Sequence, residues 1–202
     1  GKVLRETGDV DGAFENADRV ITRSYYQDHM AQMPMEPPAA VARWADGHME
    51  VWAPAQSPYT LRKDIADDLG LMVEDVTVHV TLLGGGFGRK SKGDFATEAA
   101  RLARETGRPV RVQWTRDDDV RHSFYHTTSV ERIAAAVDGD GRVTGWKHTS
   151  VAPTILSTFA EDPKYQFNIE NGMGHVDMPF AIPNIRCDNG PAPAHTRIGW
   201  WR

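Results

Sequence analysis

Four glycines fall within five residues at Gly84-Gly85-Gly86-Phe87-Gly88, and no other feature constrains the fold of this chain as tightly. A run this rich in glycine is entropically costly inside a helix or strand, so it belongs to a turn. Before it, Val76 to Leu82 is β-branched or apolar at alternate positions, which predicts a strand. After it, a helical pattern runs from about Asp94 to Glu105 and stops at Gly107. A strand-to-helix turn of this composition lets backbone approach a ligand closely, and its amides face an anion. The plainer alternative is a turn that only needs positive φ.

The flanking residues extend the turn into an α/β unit. Ala40–Trp44 and Met49–Ala53 alternate and are joined by Asp46-Gly47, a hairpin signal. Pro54-Ala55-Gln56-Ser57-Pro58 then leads into a helix from Tyr59 to Leu69, with Ser57 as N-cap, Pro58 in the first turn and Gly70 ending it. Val110–Trp114 supplies a strand after the second helix. Upstream, Gly8 to Ala17 predicts a turn and a short helix capped by Asp9 or Asp11, and Val20–Tyr26 a strand. Pro34, Pro37 and Pro38 interrupt the pattern, because prolines cannot donate to a central ladder. Downstream, Ser129–Val137 and Arg142–Ala152 flank Asp138-Gly139-Asp140-Gly141, a second hairpin, and a Pro-, Gly- and Asn-rich wrapping segment follows.

The expected fold class is therefore α+β: an α/β unit with a glycine-rich strand-to-helix loop, plus antiparallel strands. Along the chain this gives incoming strands and a Pro-rich loop over 1–48, the α/β unit over 49–127, and a hairpin with its wrapping segment over 128–202. The start at Gly1 and the stop at Trp200-Trp201-Arg202 read as those of an internal fragment.

Charge and cysteine content exclude several functions. The net charge is −5 and the longest basic patch is Arg89-Lys90-Ser91-Lys92, which argues against nucleic acid. Cys187 is the only cysteine, so no intramolecular disulfide, iron–sulfur cluster or multi-thiolate zinc site can form within this chain. No apolar run reaches the roughly 18 residues of a transmembrane segment. The compartment stays open.

Both common nucleotide loops fail at one residue. A phosphate loop of the nucleotide-hydrolase type needs glycine before its lysine, and the dinucleotide fingerprint needs a third glycine; Arg89 occupies both places. The whole pattern instead resembles the molybdopterin-binding large subunit of the xanthine oxidase/aldehyde oxidase family. Gly84-Gly85-Gly86-Phe87-Gly88-Arg89-Lys90 is similar to that family's first pterin-contacting loop, and Pro54-Ala55-Gln56-Ser57-Pro58 to its glutamine loop, with Gln56 31 positions before Phe87. Gly107-Arg108-Pro109-Val110 with Arg116-Asp117-Asp118-Asp119, and Ile182-Pro183-Asn184, follow in the family's order. Met35-Glu36-Pro37, Val78-His79-Val80-Thr81-Leu82-Leu83 and Trp201-Arg202 point to the isoquinoline 1-oxidoreductase β-subunit type.

The resemblance implies a molybdenum hydroxylase, an oxidoreductase that hydroxylates an aldehyde or N-heterocyclic carbon with oxygen from water. It implies a molybdopterin cofactor, in the cytosine dinucleotide form, with molybdenum. Implied partners are the remainder of the large subunit, an iron–sulfur subunit and a small aldehyde or N-heterocycle. Gln56 would hydrogen-bond an oxo ligand of the metal. Gly85, Gly86, Phe87, Gly88 and Arg89 would face the cofactor, with Phe87 also bordering substrate, and Arg202 would help place it. No side chain here is a metal ligand. Ser91 stands where purine-oxidising members carry glutamate, which argues against xanthine. The family's catalytic glutamate falls beyond Arg202, so the fragment alone is expected to be inactive and without a complete cofactor pocket. The alternative is a noncatalytic phosphate-, nucleotide-binding or assembly module.

The remaining candidates have bland readings beside the functional ones. Glu36 reads as a loop carboxylate capping amides rather than a functional acid. The Asp117-Asp118-Asp119 run reads as an N-cap before a short helix rather than a metal site. Among histidines 29, 79, 126, 148, 175 and 195 no two stand at a paired spacing. Trp200 and Trp201 are core anchors or the wall of an apolar funnel, and Cys187 is a small buried hydrophobe.

Overall fold

The computed structural model describes residues 1–161 and 163–201. They form two compact units, one from Gly1–Met30 with Thr127–Ile198, the other from Ala31–His126 with the residues after Ile198. The fold is mixed α and β, as the sequence predicts.

In the first unit, β1 (Lys2–Thr7), β2 (Arg19–Gln27), β7 (Ser129–Val137), β8 (Val143–Val151) and β9 (Asn184–Gly190) form one sheet in the order β1-β9-β8-β7-β2. The expected hairpin is β7–β8, closed by a turn in which Asp138 Oδ1 accepts the amides of Asp140 and Arg142. The sheet is not wholly antiparallel, since β8 pairs parallel with β9. A parallel neighbour needs a long crossover, and residues 152–183 supply it, including the four-residue helix α5 (Asn168–Asn171). Helix α1 (Val10–Glu15) is capped by Asp9, whose side chain accepts from the Gly12 amide. Ile185 and Cys187 alternate inward on β9 and pack with Met178 and Trp146. Cys187 is fully buried, as a small hydrophobe.

The second unit holds the glycine loop. Its sheet runs β5 (Val76–Val80), β4 (His48–Ala53), β3 (Ala39–Ala45), β6 (Val110–Gln113). The Asp46-Gly47 turn has positive φ at both residues, 51° and 80°, as a two-residue hairpin turn requires. Helix α2 (Pro58–Leu69) carries the chain from β4 to β5, which pair in parallel, and Gly70 ends it in the left-handed region. Ser57 is the N-cap residue but makes no side-chain capping bond. The strand before the loop stops at Val80, short of the predicted Leu82, because Leu82 already stands 95% exposed in the turn.

Helix α3 (Asp94–Thr106) closes the unit. Phe95, Ala96, Ala99, Ala100 and Ala103 recur at helical spacing and are fully buried against Ala42, Met49, Val51 and Ile65. Small side chains on this stripe let the helix lie close to the sheet. Helix α4 (Arg116–Arg121) follows β6 and begins with a capping box between Thr115 and Asp118.

Candidate functional site

Two strand-to-helix loops meet because β4 and β5 are parallel neighbours. One carries Gln56 after β4; the other is the glycine loop after β5. Both leave the same end of the sheet, where α/β sheets present ligand-binding loops. Backbone bonds stitch them together: Thr81 N–H donates to Ala53 O (3.2 Å) and Gln56 N–H to Lys90 O (2.9 Å).

The glycine loop follows a path few residues allow. Gly85 and Gly88 have φ of 89°, and Phe87, a side chain with Cβ, sits at φ 51°. For a bulky residue that conformation costs about 1–2 kcal/mol and persists only where surroundings enforce it. The loop supplies that enforcement: Arg89 N–H donates to Gly86 O (2.8 Å) and Ser91 Oγ to Gly88 O (2.5 Å). Gln56 Oε1 accepts the Gly88 amide at 3.0 Å. Among the described residues, the amides of Gly85, Gly86 and Phe87 donate to no protein acceptor. Gln56 Nε2 likewise has no acceptor there, so its donor stays available while Oε1 grips the loop. A Cβ on Gly86 would collide with the Gln56 amide, and one on Gly84 with Glu36. Free amides, a free side-chain donor and no Cβ at the closest approach make a cradle for a polar, electron-rich ligand. Phe87 is 54% exposed at its rim.

Gln56, Gly85, Gly86, Phe87 and Gly88 are thus brought together. Arg89, expected at the cofactor, turns its side chain inward instead. Its guanidinium is fully buried, grips both oxygens of Asp94 (2.8 and 2.9 Å), and lies 5.1 Å from the Trp114 ring and 5.5 Å from Phe124. Lys90 is equally buried and pairs with Glu36, which also accepts the Gly84 amide (3.3 Å). Glu36 therefore serves as an amide cap and ion-pair partner. Ser91 bonds back to its own loop. Asp118 caps α4, whereas Asp119 is buried and pairs with Arg116 (2.7 Å). Burial raises the Asp119 carboxyl above the ordinary range, against the pull of Arg116 and then Arg89. Trp201 meets the His126 ring edge-on, and the Trp200 carbonyl accepts from Gln32. Arg202 lies outside the described residues.

One arrangement escaped the sequence. In the first unit the His148 and His175 rings stand 4.4 Å apart, with Glu131 on His148 (2.9 Å) and Asn171 on His175 (3.2 Å). Burial pulls His175 below its ordinary pKa. Their separation of 27 positions carries no periodic signal; only the pairing of β8 with a later loop creates the contact.

The sequence matches the molybdopterin cofactor-binding domain over residues 1–196. The chain belongs to that family. It is 34% identical over 155 residues to the β-chain of isoquinoline 1-oxidoreductase from Brevundimonas diminuta, covering 75% of this chain and 20% of that one. It is 32% identical over 148 residues to the molybdenum-binding chain of an aldehyde oxidoreductase from Escherichia coli, covering 72% of this chain and 20% of the relative. The fold matches that of the aldehyde oxidoreductase from Desulfovibrio gigas with a TM-score of 0.77 at 21% identity, covering 98% of this chain and 21% of that structure. The chain thus spans about a fifth of the length of these relatives. Among the described residues no helix is long and apolar enough to cross a membrane.

Proposed function

We propose that the loop pair of Gln56 and Gly84–Gly88 is one wall of a molybdopterin pocket in an enzyme that hydroxylates an aldehyde or an N-heterocyclic carbon with water. The observation that carries this is the cradle: three consecutive amides that donate to no acceptor among the described residues, beside a glutamine donor, at a glycine where any Cβ would collide. The cofactor, which we read as the cytosine dinucleotide form, supplies the oxidising centre and the activation of water. The chain's own residues bind and orient. The amides of Gly85, Gly86 and Phe87 are fixed donors toward an electron-rich group, and they need no reorganisation when it arrives. Gln56 is held through Oε1, which accepts the Gly88 amide, and this leaves its Nε2 protons to donate to the same ligand. Phe87, strained and half-exposed, offers an apolar face that excludes water and stacks on a planar substrate. Ser91, bonded to its own loop, offers no carboxylate to a purine. The general base and the rest of the pocket would lie in other segments of the large subunit, an iron–sulfur partner would supply the electron acceptor, and Arg202 would help place substrate.

The test is metal and pterin content of the full-length protein purified with its partner subunit, comparing wild type with Gly86→Val and Gln56→Ala. Near-stoichiometric molybdenum in wild type, lost in Gly86→Val, together with retained metal and slowed turnover in Gln56→Ala, supports the reading. Wild-type protein without molybdenum refutes it and leaves a noncatalytic anion-binding or assembly module.

A further inference from the structure

The segment Met33–Pro37 flanks the glycine loop, yet its own backbone can do little to hold it there. Pro34 and Pro37 have no N–H, and among the described residues the segment's backbone makes one bond to the loop, Glu36 N–H to Gly84 O at 3.0 Å. Met33 has φ 43°, a strained conformation for a side chain with Cβ. Such strain persists only when both flanks are fixed. On one side Gln32 is fixed, its amide nitrogen donating to Phe124 O and Trp200 O (2.8 Å each) and its oxygen accepting from Ser123 (2.9 Å). On the other side the anchor is Arg116, whose Nη2 donates to Pro34 O (2.6 Å) and Met35 O (3.1 Å).

Arg116 is itself held. Its Nη1 bonds Asp119 Oδ2 at 2.7 Å, and Asp119 Oδ1 faces Arg89 Nε at 4.0 Å. Among the described residues those last two atoms are buried without a hydrogen-bond partner, and the ion-pair contact between them offsets part of that cost. Arg89 leads through the chain to Lys90, Lys90 pairs with Glu36, and Glu36 adjoins Met35. The contacts close on themselves, from Met35 through Arg116, Asp119, Arg89, Lys90 and Glu36 back to Met35. Buried charges are costly to assemble; their best attested use is to specify one arrangement among several.

We propose that Arg116 and Asp119, which hydrogen-bond to no residue of Gly84–Gly88, are positioning residues that fix the Met33–Pro37 segment and the glycine loop against each other through this closed ring. The ring makes the Met33–Pro37 segment a second rigid wall of the pocket, from which Met35 projects, 89% exposed, beside the loop. This role at a cofactor site rests on the reading above; the ring itself does not.

Amide hydrogen exchange on the full-length protein tests it, with peptides covering 33–37, 84–91 and the buried stripe of α3. Arg116→Gln and Asp119→Asn should each speed exchange in the first two peptides by about tenfold or more, the loss expected for one charged hydrogen bond, and leave α3 unchanged. Unchanged exchange at 84–91 overturns the proposal, and so does a uniform rise that includes α3, which means general loosening. If Arg116→Gln does not fold, Arg116→Lys serves, because an ammonium cannot bridge a carboxylate and two carbonyls as the guanidinium fork does. Molybdenum measured in the same wild-type preparation separates the two questions: its absence refutes the cofactor reading and leaves the exchange result standing.

Discussion

Removing either partner of the Glu36–Lys90 pair should destabilise the protein unequally, and the inequality follows from burial. The Lys90 side chain is fully buried, whereas that of Glu36 is 38% exposed. Glu36→Ala leaves an ammonium in the interior without its carboxylate, and breaking a buried pair in this way costs about 3–5 kcal/mol. Partial exposure lets water reach the vacated place, so the lower end, about 3 kcal/mol, is expected. Lys90→Met removes the charge and keeps most of the volume. It leaves Glu36 partly solvated and still bonded to the Gly84 amide, so about 1 kcal/mol or less is expected. At about 2–4 °C per kcal/mol for a domain of this size, the melting transition should fall by about 6–12 °C in the first variant and by no more than about 4 °C in the second. Thermal melting of the full-length protein, followed by differential scanning fluorimetry, reads both, and the double variant should fall no further than Glu36→Ala. Equal losses, or a larger loss in Lys90→Met, would refute the view of Lys90 as a buried charge that depends on Glu36.

Further outcomes are expected elsewhere. Gly88→Ala and Gly107→Ala put a Cβ on φ 89° and 62°, and each should cost about 1–2 kcal/mol of strain in melting experiments; Gly107 faces open space, and on the proposed function only Gly88→Ala should lower molybdenum content. Arg89→Lys keeps the charge but loses the two-pronged grip on Asp94, and should lower stability by about 1.5–3 kcal/mol in denaturant titration. Because burial depresses His175, its neutral form contributes stability that is present above the unfolded pKa of 6.5 and is lost as pH falls through the lower folded value. Melting temperature should therefore decline from pH 7 to pH 5 more steeply in wild type than in His175→Gln, and parallel declines would exclude this residue as the cause.

Much of the second unit was legible because its signals are local. The alternation of Met49–Ala53, the stop at Gly70, the Asp46-Gly47 turn and the alanine stripe of α3 each report their own structure within a few residues. Gln56 and the glycine loop were legible as a pair through their spacing and resemblance. What the sequence hid depends on distant pairing. That β8 and β9 run parallel is decided by a crossover with weak periodicity, and the His148–His175 contact comes with it. The direction of the Arg89 side chain was hidden for a related reason: its sequence neighbours place it at the loop, while its partner Asp94 and the rings of Trp114 and Phe124 draw the side chain inward. Asp119 looked like a helix cap, a role Asp118 already fills.

The chain leaves the first unit after Met30 and returns to it at Thr127, which sets an order of events during synthesis. Strand β2 is paired residue for residue with β7, Gln27 opposite Ser129, so the one strand it bonds among the described residues emerges about a hundred residues later. At about 5–20 residues per second, that is a delay of roughly 5–20 s. During it, the intervening residues hold nearly everything the second unit needs to fold, while β2, exposed along its whole length, waits with an open edge. The unit with the glycine loop is thus poised to form before the sheet that precedes it in sequence, and the waiting strand is where a chaperone or a mispaired chain would first take hold.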